Sequence, residues 1–76
     1  MIREHDRVVL TSDVAAEDLK AGDVGTVVHI HQGGGALEVE FVALDGETIA
    51  VTTLLASQVR PVARREITHA RPLAEV

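Results

Sequence analysis

Two histidines, His29 and His31, are the residues of this chain whose spacing best suits metal binding. In an extended segment this spacing places both imidazoles on one strand face, because side chains alternate along a strand. Zinc usually takes three or four protein ligands, so two histidines do not complete a site. The remaining ligands would have to come from another histidine or a carboxylate, namely His5, His69, Glu38 or Glu40. An exposed polar strand face explains the pair more simply, and we expect no resident metal or cofactor.

Two carboxylates, Glu38 and Glu40, share a strand face by the same alternation. Paired carboxylates serve as general acid and base where a pocket shifts the pKa of one of them. A chain of 76 residues with Phe41 as its single aromatic side chain offers little room for such a pocket. We therefore interpret the pair as a solvated acidic ladder, or as a recognition face for a basic partner protein.

Other groupings of reactive side chains give weaker indications of a catalytic or binding site. Ser12 could be drawn into a triad with His5 and Asp13, but no nucleophile-elbow pattern surrounds it. The glycines at 33–35 lack the lysine and helix start of a phosphate-binding loop. The chain has no cysteine, which excludes a thiol nucleophile and a thiolate metal site. The sequence therefore predicts that this protein is not an enzyme.

Charge is distributed unevenly along the chain. Residues 1–62 carry a net charge of −6 and residues 63–76 a net charge of +1. Contacts to phosphate groups normally dominate nucleic-acid affinity, so an acidic body disfavours a nucleic-acid partner. We expect a protein partner instead. The candidate contact residues are the acidic strand pair and the three arginines of the C-terminal segment: Glu38, Glu40, Arg64, Arg65 and Arg71.

The sequence also carries no membrane or export signal. No segment reaches the roughly 18 consecutive apolar residues of a membrane span. The first six residues have mixed charges and no apolar core of the signal-peptide type. We therefore expect a cytoplasmic protein with no membrane contact.

Short β-branched segments separated by glycine and polar loops predict an all-β fold. The strands are predicted over 7–11, 24–31, 36–43, 47–53 and 59–62. We expect Val8 and Leu10 to face the core from the first strand, and Leu19 to anchor the loop that follows it. In the second strand the most apolar alternating set is predicted to face the core. Its members are Val24, Thr26, Val28 and Ile30.

The turn at Gly46 sets the register of the third and fourth strands. A two-residue loop ending at Gly46 would pair Glu40 with Val51, on the apolar side. A three-residue loop with Gly46 left-handed pairs Phe41 with Ile49 instead, and also Val39 with Val51. We predict the three-residue loop, because it keeps the large apolar side chains inside.

Together these elements predict a small five-stranded SH3-like barrel over residues 1–62. A short 3₁₀ turn at 54–58 precedes the last strand, and Pro61 suits an edge position in that strand. Residues 63–76 form an irregular or short helical C-terminal tail. Short edge strands on a thin barrel are also compatible with pairing of two copies.

The segment Leu19-Lys20-Ala21-Gly22-Asp23-Val24-Gly25-Thr26-Val27-Val28 is the most distinctive of the chain. With it, four further segments resemble a bacterial family of small proteins known as domain of unknown function 4926. They are Asp6-Arg7-Val8-Val9-Leu10, Glu38-Val39-Glu40-Phe41, Asp45-Gly46-Glu47-Thr48 and Ser57-Gln58-Val59-Arg60-Pro61-Val62. The resemblance covers residues 6–62 and implies a compact barrel with no assigned catalytic residue.

The family resemblance also implies a kind of partner. Genes of the family that this chain resembles often neighbour another small gene, and this implies a two-component arrangement such as a toxin with its neutralising protein. The spacing of Lys20, Gly22, Gly25 and Val27 is similar to the KOW element of ribosomal and transcription proteins as well. A KOW surface would carry basic and aromatic side chains, whereas this segment has the acidic Asp23 between its two glycines. A KOW-like nucleic-acid or ribosome-associated module is therefore the alternative to a protein-interaction module.

Overall fold

The computed structural model describes residues 2–73 and shows one five-stranded antiparallel sheet. The strands, in chain order, are β1 (Arg7–Leu10), β2 (Val24–Ile30), β3 (Ala36–Val42), β4 (Thr48–Leu55) and β5 (Val59–Pro61). Their order across the sheet is β4-β3-β2-β1-β5, so β4 and β5 form the two edges. This is the strand order of an SH3-like fold, and within the described residues no ladder joins β4 to β5 to close the barrel.

Two 3₁₀ turns complete the architecture. One spans Ala15–Glu17 in the loop after β1, and the other spans Ala56–Gln58 between β4 and β5. The second lies within the predicted segment 54–58, directly before the edge strand that holds Pro61, but the first two residues of that segment belong to β4. The all-β prediction is therefore confirmed.

The core fills the concave side of the sheet and is entirely hydrophobic. Leu19 contributes to it from the loop after β1 and is only 3% exposed, so it anchors that loop as predicted. The other buried residues of this cluster come from the strands: Val8, Leu10, Val27, Leu37, Val39, Phe41, Ala50, Leu54 and Val59.

The predicted core face of β2 is wrong for Val24, Thr26 and Val28, and correct only for Ile30. Gly25 and Val27 point inwards and are buried, whereas Val28 is exposed. Gly25 is required at this place because a Cβ there would lie 2.6 Å from a methyl carbon of Val39. A register shift between Val27 and His29 then inserts an extra residue, and Ile30 returns to pack against the core.

The predicted pairing of β3 with β4 is correct only beside the turn. Gly46 is left-handed with φ of 95°, and Val42 lies opposite Thr48, as a three-residue loop requires. A bulge then shifts the register, so that Phe41 lies opposite Ala50 rather than Ile49. Val51 consequently pairs with Glu40 on the solvent side and is 55% exposed.

The C-terminal tail, residues 63–73 of the described chain, is irregular and is held against the sheet by two ion pairs. Arg60 donates two hydrogen bonds to Glu66, of 2.8 and 2.7 Å. Arg71 donates two to Asp23, of 2.8 and 2.6 Å, and a third to the Asp18 carbonyl.

The tail covers an apolar row on the solvent side of β1 and β2. Val9 lies opposite Val24 on one side and Arg60 on the other, and it points away from the core. Tail residues 66–69 nevertheless line a cavity of about 150 Å³ over it, and Val9 is 9% exposed. Alternation along β1 directs Val9 outwards, since Val8 and Leu10 face the core, and the burial of Val9 is due to the tail.

Candidate protein-binding face

Glu38 and Glu40 lie at the centre of the solvent side of β2, β3 and β4, hereafter the outer face. Both are on β3, the middle strand of the three, and point away from buried Val39 between them. Glu38 lies opposite His29 of β2 and Thr53 of β4. The predicted side-by-side placement of the two carboxylates is therefore present.

The Glu38 carboxylate is held by two polar side chains. Its Oε2 accepts a 2.6 Å hydrogen bond from Thr53 Oγ1 and lies 2.7 Å from His31 Nε2. The bond from Thr53, followed by that from His31, lowers the pKa of Glu38 below its ordinary value of 4.5. Glu38 is thus an anion at neutral pH, and its two hydrogen-bond partners hold its carboxylate in one orientation.

Glu40 is oriented in a similar way from one side. Its Oε2 accepts a 2.9 Å hydrogen bond from Thr48 Oγ1. Among residues 2–73, neither Oε1 of Glu40 nor Oε1 of Glu38 has a hydrogen-bond donor. Each carboxylate therefore keeps one oxygen that can accept a bond from a partner's lysine or arginine.

Exposed apolar side chains flank the two carboxylates. Val51 and Leu55 of β4 are 55% and 59% exposed, and Val42 at the end of β3 is 48% exposed. Protein-binding surfaces commonly combine an apolar contact area with a few charged groups that fix orientation. The outer face has both components.

The two histidines of the sequence motif lie at the margin of the outer face. Their rings contact each other edge to face, with centroids 5.1 Å apart. His29 Nδ1 lies 3.5 Å from a carboxylate oxygen of Glu4, while His31 contacts Glu38. In the part of the chain that the structure describes, no group of three or more candidate ligands is arranged to hold a metal ion. Metal binding by the histidines stays an untested alternative to the predicted polar strand face.

The triad drawn from the sequence has its members on two different loops. His5 precedes β1, and its backbone N–H donates to the Val27 carbonyl. Ser12 and Asp13 follow β1 at its other end, where Asp13 accepts a 2.8 Å bond from the Ala21 N–H. Asp13 thus holds the loop together.

The three arginines of the tail have different environments. Arg71 is partly buried and paired with Asp23, with side chains 21% and 16% exposed, so its charge is neutralised within the molecule. Arg64 and Arg65 are exposed. Arg64 lines an open groove beside β1 and β5 together with Asp6 and Pro61. The two exposed arginines therefore remain available to a partner.

The glycine corner before β2 serves the architecture of the domain. Gly22 has φ of 98°, and Asp23 accepts a 2.9 Å bond from the Lys20 N–H through its side chain. Burial alone would raise the Asp23 pKa, but the hydrogen bonds from Arg71 and Lys20 outweigh it and lower that pKa. The corner is thus occupied by an internal ion pair at the position where a KOW element would present basic groups.

Thr48 and Thr53 belong to this site, yet sequence reasoning missed them. The predicted register, with Val39 opposite Val51, would place Thr52 rather than Thr53 opposite Glu38. Alternation along β4 places Thr53 on the solvent side with Val51, but it would place Thr48 on the core side with Ala50. Only the bulge between the pairs of Phe41 and Val42 brings Thr48 to the side of the carboxylates.

The fold and site define a small SH3-like β domain with an acidic, partly apolar outer face. Residues 4–61 match the family described as Domain of unknown function (DUF4926), and the chain belongs to that family. No curated protein and no solved structure matched the chain. In residues 2–73, no helix has the length and apolar character needed to cross a membrane.

Proposed function

We propose that this protein is a non-catalytic interaction module that binds a basic partner protein through its outer face. The observation that carries the proposal is the pair of oriented carboxylates, Glu38 and Glu40, each with one free oxygen in the described structure. Apolar Val51 and Leu55 beside them supply contact area.

The chemistry of the carboxylates supports a binding role. The lowered pKa of Glu38 keeps it charged and suits an ion pair, whereas a general acid requires a raised pKa. The net charge of −5 attracts a basic protein from a distance and accelerates its association. Exposed Arg64 and Arg65 provide a second, oppositely charged contact for an acidic patch on the same partner.

A neutralising protein of a two-gene bacterial system is the concrete form of this proposal. Such a protein acts in the cytoplasm by covering a functional surface of its partner, so it needs no active site of its own. A basic partner, such as a toxin that acts on nucleic acid, has the charge that the outer face complements.

The first test is co-purification with the product of the adjacent gene. We expect a complex that elutes earlier than either protein and weakens as salt rises. The double substitution Glu38→Lys/Glu40→Lys should lower the affinity by at least about tenfold, since like charges then face each other. The experiment is a binding titration by calorimetry.

A matched control separates the site from the overall charge. Glu17→Lys/Glu47→Lys makes the same change in net charge at two exposed carboxylates outside β2, β3 and β4. It should reduce the association rate but leave most of the affinity. Equal losses in the two double variants, or no complex with a basic neighbour, would contradict the proposal.

A further inference from the structure

The two edges of the sheet are protected very differently. β5 is three residues long and contains Arg60 and Pro61. A charged side chain and a proline, which has no N–H to donate, commonly protect an edge strand against pairing with another strand. β4 is eight residues long, Thr48–Leu55, and contains neither a charged residue nor a proline. β4 is thus the edge at which another strand can add.

The side chains of β4 are uncharged over its whole length. On the outer face they form the row Val51, Thr53, Leu55, and the two apolar members are more than half exposed. Thr53 lies between them with its hydroxyl already donated to Glu38. In the described chain the other side of β4 pairs with no strand. One N–H there, that of Leu55, already donates to Gln58 Oε1, and the other backbone groups on that side are open to a partner.

We infer that β4 pairs antiparallel with β4 of a second copy of this chain, with the two-fold axis at Thr53. In this register Val51 of each copy lies opposite Leu55 of the other copy, and Thr53 of one copy lies opposite Thr53 of the other. A two-fold interface requires such reciprocal pairing, and apolar cross-strand pairs stabilise a sheet. The two five-stranded sheets become one continuous sheet.

Charge favours a second copy over the basic partner as the occupant of this edge. Each copy carries a net charge of −5, so two copies repel wherever their charged surfaces meet. Two β4 strands can pair without bringing charged side chains together, because β4 has no charged residue. A basic strand would find no carboxylate on β4 itself, since Glu38 and Glu40 lie on the neighbouring strand.

The inference does not depend on the proposed function. The carboxylates of the outer face stay on the solvent side of the joined sheet, so each copy can still bind its partner. Salt distinguishes the two associations. Screening weakens the complex with a basic protein, but it strengthens the pairing of two acidic copies.

The test is the molar mass of the full chain, measured by light scattering or sedimentation over micromolar to millimolar concentrations. We expect a reversible dimer of twice 8.1 kDa that tightens with salt. Thr53→Lys places two lysines opposite each other and should weaken the dimer at least about tenfold. Val42→Lys, at a similarly exposed residue on β3 away from the edge, should leave it intact.

Mixing two charge variants tests the register directly. Thr53→Lys and Thr53→Glu should each be monomeric alone, and their mixture should form a heterodimer because opposite charges then meet at the axis. Circular dichroism confirms that each variant is folded. A wild-type chain that stays monomeric throughout, a Thr53→Lys variant that dimerises normally, or a mixture of folded variants that stays monomeric would overturn the inference.

Discussion

At Gly25 the backbone of β2 passes very close to the core side chains of β3. A Cβ at this position would lie 2.6 Å from Val39 Cγ1, 2.8 Å from Phe41 Cε2 and 2.9 Å from the Glu40 carbonyl oxygen. Both side chains are buried, so they have little space into which to move. Gly25, which lies inside β2, therefore allows β2 and β3 to approach each other closely.

Gly25→Ala should therefore lower the free energy of unfolding by about 1–3 kcal/mol, the range for overpacking in a core. Urea denaturation followed by circular dichroism measures it. Gly35→Ala is the matched control, since a Cβ there meets nothing within 4 Å and φ is not positive. It should be neutral or slightly stabilising. Equal losses in the two variants would show that the close approach at Gly25 is not the cause.

At the scale of elements, the tail is an irregular segment whose position depends on side-chain contacts. Arg71 holds it to the body through Asp23 and the Asp18 carbonyl. Arg71→Ala leaves the partly buried Asp23 carboxylate with only the hydrogen bond from the Lys20 N–H, and should lower the free energy of unfolding. The tail should also become accessible to protease and its amide hydrogens should exchange faster, because local opening needs few contacts to break.

Arg64→Ala is the control for the tail, because it removes an exposed arginine from the same segment. It should change the free energy of unfolding by less than about 0.5 kcal/mol and leave proteolysis of the tail unchanged. If Arg71→Ala behaves in the same way, then the ion pair with Asp23 does not position the tail.

At the scale of the whole molecule, acid should destabilise the fold. The pKa values of Asp23, Glu38 and Glu66 are all lowered, Glu66 from an ordinary 4.5 to about 2 by the hydrogen bonds from Arg60 and from the Ala63 N–H. A carboxylate with a depressed folded-state pKa stabilises the protein above its unfolded pKa. That stability is lost as pH falls towards the folded value.

Urea denaturation from neutral pH down to pH about 2 should therefore show a falling free energy of unfolding below pH about 4.5. Glu66→Gln should reduce this dependence between the two pKa values, whereas Glu17→Gln, at an exposed carboxylate of the first 3₁₀ turn, should not. A pH profile that Glu66→Gln leaves unchanged would show that the ion pair with Arg60 contributes nothing to acid sensitivity.

The local pattern of the sequence determined much of the fold. Strict alternation in β3 placed Val39 and Phe41 inside and the two glutamates outside, and the structure has them so. The left-handed Gly46 and the 3₁₀ turn before Pro61 were also predictable, because turn chemistry depends on neighbouring residues only.

Only the tertiary structure decided which face of β2 is buried, which residues of β4 are exposed, and which of the three tail arginines is paired with a carboxylate. In β2 both faces carry apolar residues: Val27 is buried in the core, and on the solvent side Val24 lies beside Val9 of β1, beneath the tail. Alternation cannot distinguish two apolar faces, and a bulge of one residue reverses it. The acidic pair was visible in the sequence. Thr48 and Thr53, which orient the two carboxylates, lie beside them only because of a strand register that distant contacts set.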